Sequence, residues 1–145
     1  MYLEKINDSL YATDIIRSKP QEMLELKNSA VIHLVCHHTK DESIIEGYAK
    51  AFLENDYRVI HMFGEYSELW TKILRSIYDE DVIIIDYHVH LNDFIMDIGT
   101  HFIEKSELKK YHKHDYSIDR FDYIIYDDYQ FFYYIKEDLK EAELI

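Results

Sequence analysis

The sequence predicts a single three-layer α/β domain: a doubly wound, four-stranded, mainly parallel sheet carrying an N-terminal helical extension. Two observations carry this. A chain of 145 residues, 48% apolar and 31% charged, has the size and balance of one globular domain. From residue 29 to 145, short apolar runs alternate with amphipathic segments, which is the pattern of a parallel sheet covered by helices. The division is therefore a helical extension over 1–28 and an α/β core over 29–145, within one domain spanning 1–145.

The first 28 residues read as two short helices that cover an end or face of the sheet. The second opens at Ser18-Lys19-Pro20-Gln21, with proline where a first-turn N–H would be free in any case. AVIHLVC (30–36) is the first strand. Thr39 and Glu42 then have the spacing of a capping box, worth about 1 kcal/mol. Ile44, Ile45, Tyr48, Ala49, Phe52 and Leu53 follow at helical spacing, and Asn55-Asp56 ends that helix.

YRVIHMF (57–63) is the second strand, where Arg58 suits a sheet edge. Gly64 breaks it, and a helix follows with Leu69, Trp70, Ile73, Leu74 and Ile77 as its buried stripe. VIIID (82–86) is the third strand, its unbroken β-branched run suited to burial on both faces. Asn92 caps a third helix with Phe94, Ile95, Ile98, Phe102 and Ile103 inward, and 107–120 reads as a loop. FDYIIY (121–126) is the fourth strand, followed by Asp127-Asp128 as caps and a helix bearing Phe131, Phe132, Ile135 and Leu139. Right-handed crossovers predict the strand order 2-1-3-4.

Ligands of open α/β sheets bind beyond the carboxyl ends of the strands, at the point where crossovers diverge. With the expected order that point lies between strands one and three. It gathers Cys36, His37, His38 and Thr39 from one strand and Asp86, Tyr87, His88, Val89 and His90 from the other. His37, His38, Thr39 and Tyr87 are thus the candidate ligand-binding residues. Asp86, His88 and His90 share one face of an extended chain and could hold a divalent metal, with His37 or His38 completing its shell. Cys36 beside two histidines offers either a nucleophile pair or a packed thiol.

The segment IIIDYHVHL also resembles the first-strand metal motif of the amidohydrolase superfamily, whose paired histidines end a barrel strand; the resemblance implies a metal-dependent hydrolase using His88 and His90. Over residues 31–105, the succession of a strand, TKDESIIEGYAKAFLENDYRVI, a helix, DEDVIIID and NDFIMDIGTHF resembles the TIR domain and the nucleoside deoxyribosyltransferases. That resemblance implies a nucleoside- or NAD-binding enzyme with Asp97 and Asp93 as catalytic acids. Asp97 stands where those families carry glutamate, one methylene longer.

Gly47, Gly64 and Gly99 are dispersed, so neither GxGxxG nor a P-loop is present and no phosphate-bound cofactor is expected. The lone Cys36, the polar N-terminal stretch and the lack of a long apolar run fit a cytoplasmic setting. A net charge of −13 disfavours direct binding to nucleic acid and to anionic membranes. From 115 to 145 nine acids face three bases among six tyrosines and three phenylalanines. That composition predicts a non-catalytic interaction protein, an inhibitor or assembly subunit, which binds a basic surface of another protein through Asp127, Asp128, Tyr129, Tyr133, Glu137 and Asp138. An aromatic edge strand is also compatible with a homodimer. The basic stretch Lys105, Lys109, Lys110 and Lys113, with His112 and His114, is expected to lie near the carboxyl edge.

Overall fold

The computed structural model describes residues 1–26, 31–78, 83–99, 122–143 and 145. The chain opens with β1 (Glu4–Asn7) and β2 (Leu10–Asp14), then two short 3-10 segments at Ile15–Arg17 and Pro20–Glu25. There follow β3 (Val31–Val35), α1 (Glu42–Glu54), β4 (Val59–Phe63), α2 (Ser67–Ile77) and β5 (Ile84–His88). Residues 91–99 are helical and form α3. The chain closes with β6 (Asp122–Tyr126) and α4 (Tyr129–Glu141). The six strands make one mixed, mostly parallel sheet in the order β1-β2-β6-β3-β4-β5, with only β1 antiparallel to its neighbour.

Strand alternation sends side chains to two apolar clusters, one on each face. Ile32, Leu34, Ile60, Met62, Tyr123 and Ile125 pack with Tyr48 and Phe52 of α1 and Trp70 and Leu74 of α2. Leu10, Ala12, Val35, Phe63 and Ile124 pack with Phe94 and Ile98 of α3 and Phe132, Ile135 and Leu139 of α4. The expected α/β layering is present. The α2 stripe is as read, with Trp70 and Leu74 buried, and Asp128 caps α4 by accepting from the Phe131 N–H. No helix among the described residues is long and apolar enough to cross a membrane.

Four expectations are corrected. The sheet has six strands, because residues expected as two helices supply a β-hairpin: Leu10 and Ala12 of β2 point into one cluster at a period of two, and β2 pairs with β6. Pro20 does open a turn whose Glu22 side chain accepts from the Lys19 N–H, but the turn is 3-10. The second correction is the order: the expected 2-1-3-4 is replaced by 4-1-2-3 for the same strands, with β6 between β2 and β3. Arg58 lies just before β4, exposed and paired with Asp56, so its charge does not mark an edge. Third, β5 is the outer strand, and Ile84 is 60% exposed although the run reads as fully buried.

The fourth correction concerns caps. Asp41, not Thr39, caps α1, accepting from Ser43 N–H at 2.9 Å and Ile44 N–H at 3.3 Å, and Ile44 is exposed. Asn92 falls inside α3 instead of capping it. Phe102, Ile103 and the 107–120 loop with its basic residues lie outside the described residues.

Candidate functional site

The chain runs β3, β4, β5 in one direction with α1 and α2 on one face, then returns to place β6 beside β3. The divergence point therefore lies between β3 and β6, not between the first and third predicted strands. A protein carboxylate fills it. Asp127, which follows β6 directly, accepts from the backbone N–H groups of His37 (2.7 Å), His38 (2.8 Å) and Thr39 (2.7 Å), and from the Thr39 hydroxyl (2.8 Å). Its own N–H donates to Val35 C=O, and the residue is 3% exposed. Successive N–H groups converging on one anion form a nest of the kind that holds phosphate in nucleotide-binding domains. Here the anion is built into the chain.

The second polar assembly lies on the α3 face of the sheet. His33 and His61 are register partners at the centres of β3 and β4, their rings 5.2 Å apart. His33 Nε2 is 3.1 Å from Asp122 Oδ2, both groups being fully buried. His61 Nδ1 lies 3.5 Å from Asp97 Oδ2, and the same oxygen is 2.8 Å from His88 Nε2. Asp122, His33, His61, Asp97 and His88 thus form a polar chain from the sheet interior to a quarter-exposed imidazole. Phe94 packs edge-on over His33 and also touches the His88 ring. Burying ionisable groups is costly unless they are paired; here Asp122 pairs with His33, and Asp97 with His88 and His61, while ring contact between His33 and His61 joins the two groups. His33 and His61 went unread in the sequence; the available signal was a histidine at the centre of two successive apolar strands.

The remaining sequence candidates fall as follows. Asp97 is on α3 within the polar chain, and Asp93 is exposed one turn earlier. Asp86 is exposed on β5, and His90 is exposed beyond the strand, where its carbonyl accepts from the Phe94 N–H. Only His88 of the metal trio joins the Asp97 contact, and among the described residues no group of three or more His, Cys, Asp or Glu side chains is arranged to hold a metal ion. Burial pushes the Cys36 thiol up to about 12, and it contacts Ser67 and the Phe63 carbonyl, so it is packed and not a nucleophile at neutral pH. His37 stacks edge-on against Phe131, and His38 Nε2 lies 2.8 Å from Asp128 Oδ2.

Two hollows border these groups. One of about 590 Å³ lies between the 3-10 segments and the start of α1, lined by Ile15, Ile44, Tyr48, His38 and Thr39 among others. One of about 320 Å³ lies at the carboxyl ends of β4 and β5, lined in part by His37, Tyr87 and His88. On α4, Tyr129 (64%), Tyr133 (45%) and Tyr134 (47%) are exposed opposite the buried Phe132, Ile135 and Leu139. Gln130 donates to the Tyr134 hydroxyl, and Asp138 and Glu141 are exposed on the same helix. Tyr134 was not among the sequence candidates, whereas Asp127 is consumed inside the fold and presents no surface charge.

These features define a mixed α/β domain with a six-stranded, mostly parallel sheet. The chain matches no protein-family model, no curated protein and no solved structure.

Proposed function

We propose that the protein is an interaction module that binds a basic surface of a partner protein through the outer face of α4. The observation that carries this is three exposed tyrosines on a helix whose opposite face is locked into the core. Tyrosine supplies a large contact area at little rotamer cost, and anchors of this type dominate binding energy when they become fully buried. Glu137 is in an ion pair with Lys140 on this helix, whereas the exposed Asp138 and Glu141 offer carboxylates that suit lysine- or arginine-rich contacts and speed encounter. The filled nest between β3 and β6 favours this reading over a nucleotide-processing one, because Asp127 occupies the amides that a phosphate would use.

The test is affinity capture from the source cell with the parent protein, Tyr133→Ala, and the Glu137→Lys/Asp138→Lys double variant. The expected result is a captured protein that both variants lose while their melting temperatures stay near that of the parent. Retention of every captured protein by both variants would sink the proposal.

A further inference from the structure

The outer face of α4 has two sides that differ in chemistry. At about 3.6 residues per turn, Tyr129, Tyr133, Lys136 and Lys140 lie along one side, and Gln130, Tyr134, Asp138 and Glu141 along the other. The first side already holds cations of this chain. Lys136 Nζ lies over the Phe132 ring, 5.4 Å from its centre and 3.5 Å from the Glu4 carboxylate, and Lys140 Nζ lies 3.6 Å from the Glu137 carboxylate. A cation shared between a ring face and a carboxylate is thus an arrangement that this helix contains within the fold.

The second side presents a ring and two acids. Tyr134 is 47% exposed, and Asp138 and Glu141, one and two turns further on, are exposed as well. Side chains of a helix lean toward its N-terminus, so Asp138 projects over the turn that carries Tyr134, and Tyr134 over the turn that carries Gln130. The Gln130 amide donates to the Tyr134 hydroxyl at 3.1 Å, which holds the ring along the helix. The Tyr133 ring stands 6.2 Å from it at 63°, so the two rings meet at an open angle. Arginine matches a ring beside a carboxylate better than lysine does. Its guanidinium is planar, stacks on an aromatic face and gives paired N–H groups to a carboxylate, whereas an ammonium is a strongly hydrated point charge.

We propose that the side of α4 bearing Gln130, Tyr134, Asp138 and Glu141 receives an arginine of the partner protein, its guanidinium on the Tyr134 ring and its N–H groups on Asp138 and Glu141. This rests on the reading of α4 as the partner-binding face and narrows it from a basic surface to an arginine contact.

The test is NMR titration of the intact chain with blocked tetra-arginine and tetra-lysine peptides of equal charge, at roughly 0.15 M salt, where long-range attraction is screened. Tetra-arginine is expected to shift the Tyr134, Asp138 and Glu141 signals and to bind at least about 3-fold tighter than tetra-lysine. Tyr134→Leu should remove this preference and Tyr134→Phe should keep it, which separates the ring from apolar bulk. Asp138→Asn/Glu141→Gln should weaken both peptides about 5-fold. The substituted positions are exposed, and melting temperatures near that of the parent show that the variants fold. Equal affinity for the two peptides, shifts centred on another acidic part of the chain, or a preference that survives Tyr134→Leu each overturns the proposal. Absence of any shift at roughly 10 mM peptide, which corresponds to negligible affinity, overturns it as well. None of these outcomes alters the capture of a partner that Tyr133→Ala loses, so the arginine contact and the partner-binding reading of α4 fail separately.

Discussion

Four hydrogen bonds converge on the carboxylate of Asp127 from a loop 88 to 90 residues away in sequence. Each is charge-assisted and in a mostly water-free place, so removing the charge leaves buried donors without an equal acceptor. Asp127→Asn keeps the shape but turns an N–H₂ toward donors, and it should cost about 3 kcal/mol, read as a lower urea midpoint at unchanged slope. Its neighbour behaves differently. Burial pushes the Asp128 carboxyl up, but the Phe131 N–H and the His38 imidazole outweigh this, and it titrates below the ordinary value of 3.8. A carboxyl depressed in the folded state stabilises the fold above that ordinary value, and the contribution is lost as pH falls through the folded one. Asp128→Asn should therefore flatten the acid limb of the stability curve below about pH 4, as followed by thermal melting across pH. Asp128 was legible in the sequence because a cap acts on its own helix. Asp127 was read as a cap and as a surface charge and is neither, since nothing local tells which distant amides will reach it. The same limit hid His33 and His61, whose meaning depends on two strands lying side by side in register.

At the scale of elements, what the sequence encodes locally was readable: four of the strands, the helices α1 to α4, and most of their inward residues, with Ile44 and Ile84 the exceptions. What depends on neighbours was not. β1 and β2 are only four and five residues long, and β1 has a single apolar residue, so their pattern is weak until β6 provides a partner. The run Ile84-Ile85 looks buried on both faces, yet β5 is the outer strand and only Ile85 turns inward. Ile84→Thr should thus change stability by less than about 0.5 kcal/mol, whereas Leu34→Ala in the fully buried β3 should cost about 3 kcal/mol, both measurable by chemical denaturation. A similar local constraint sits at Gly64, with φ +138, where a Cβ would collide with the Cys36 carbonyl of the adjacent strand end. The break after β4 was visible in the sequence as a glycine; its reason, two loops in backbone contact, required the strand order.

For the whole molecule the dominant physical fact is a net charge of −13 on 145 residues. Self-repulsion of that size opposes compactness, and salt screens it within a distance of about 10 Å at 0.1 M. Raising sodium chloride from roughly 0.05 to 0.5 M should therefore raise the melting temperature of the isolated protein. The proposed partner contact responds with the opposite sign. Attraction between the acids of α4 and a basic surface is screened by the same ions, so association should slow as salt rises while dissociation, set by the buried tyrosines, changes little. Charge reversal at Glu137 and Asp138 should remove most of the salt dependence of the association rate, and Tyr133→Ala should speed dissociation at every salt concentration. Surface plasmon resonance with the captured partner, run beside melting curves in the same buffers, separates the two effects. A partner whose association rate ignores salt while the free protein is stabilised by it would mean that the acids serve only to keep the chain dispersed, and that the tyrosine face binds, if at all, by apolar contact alone.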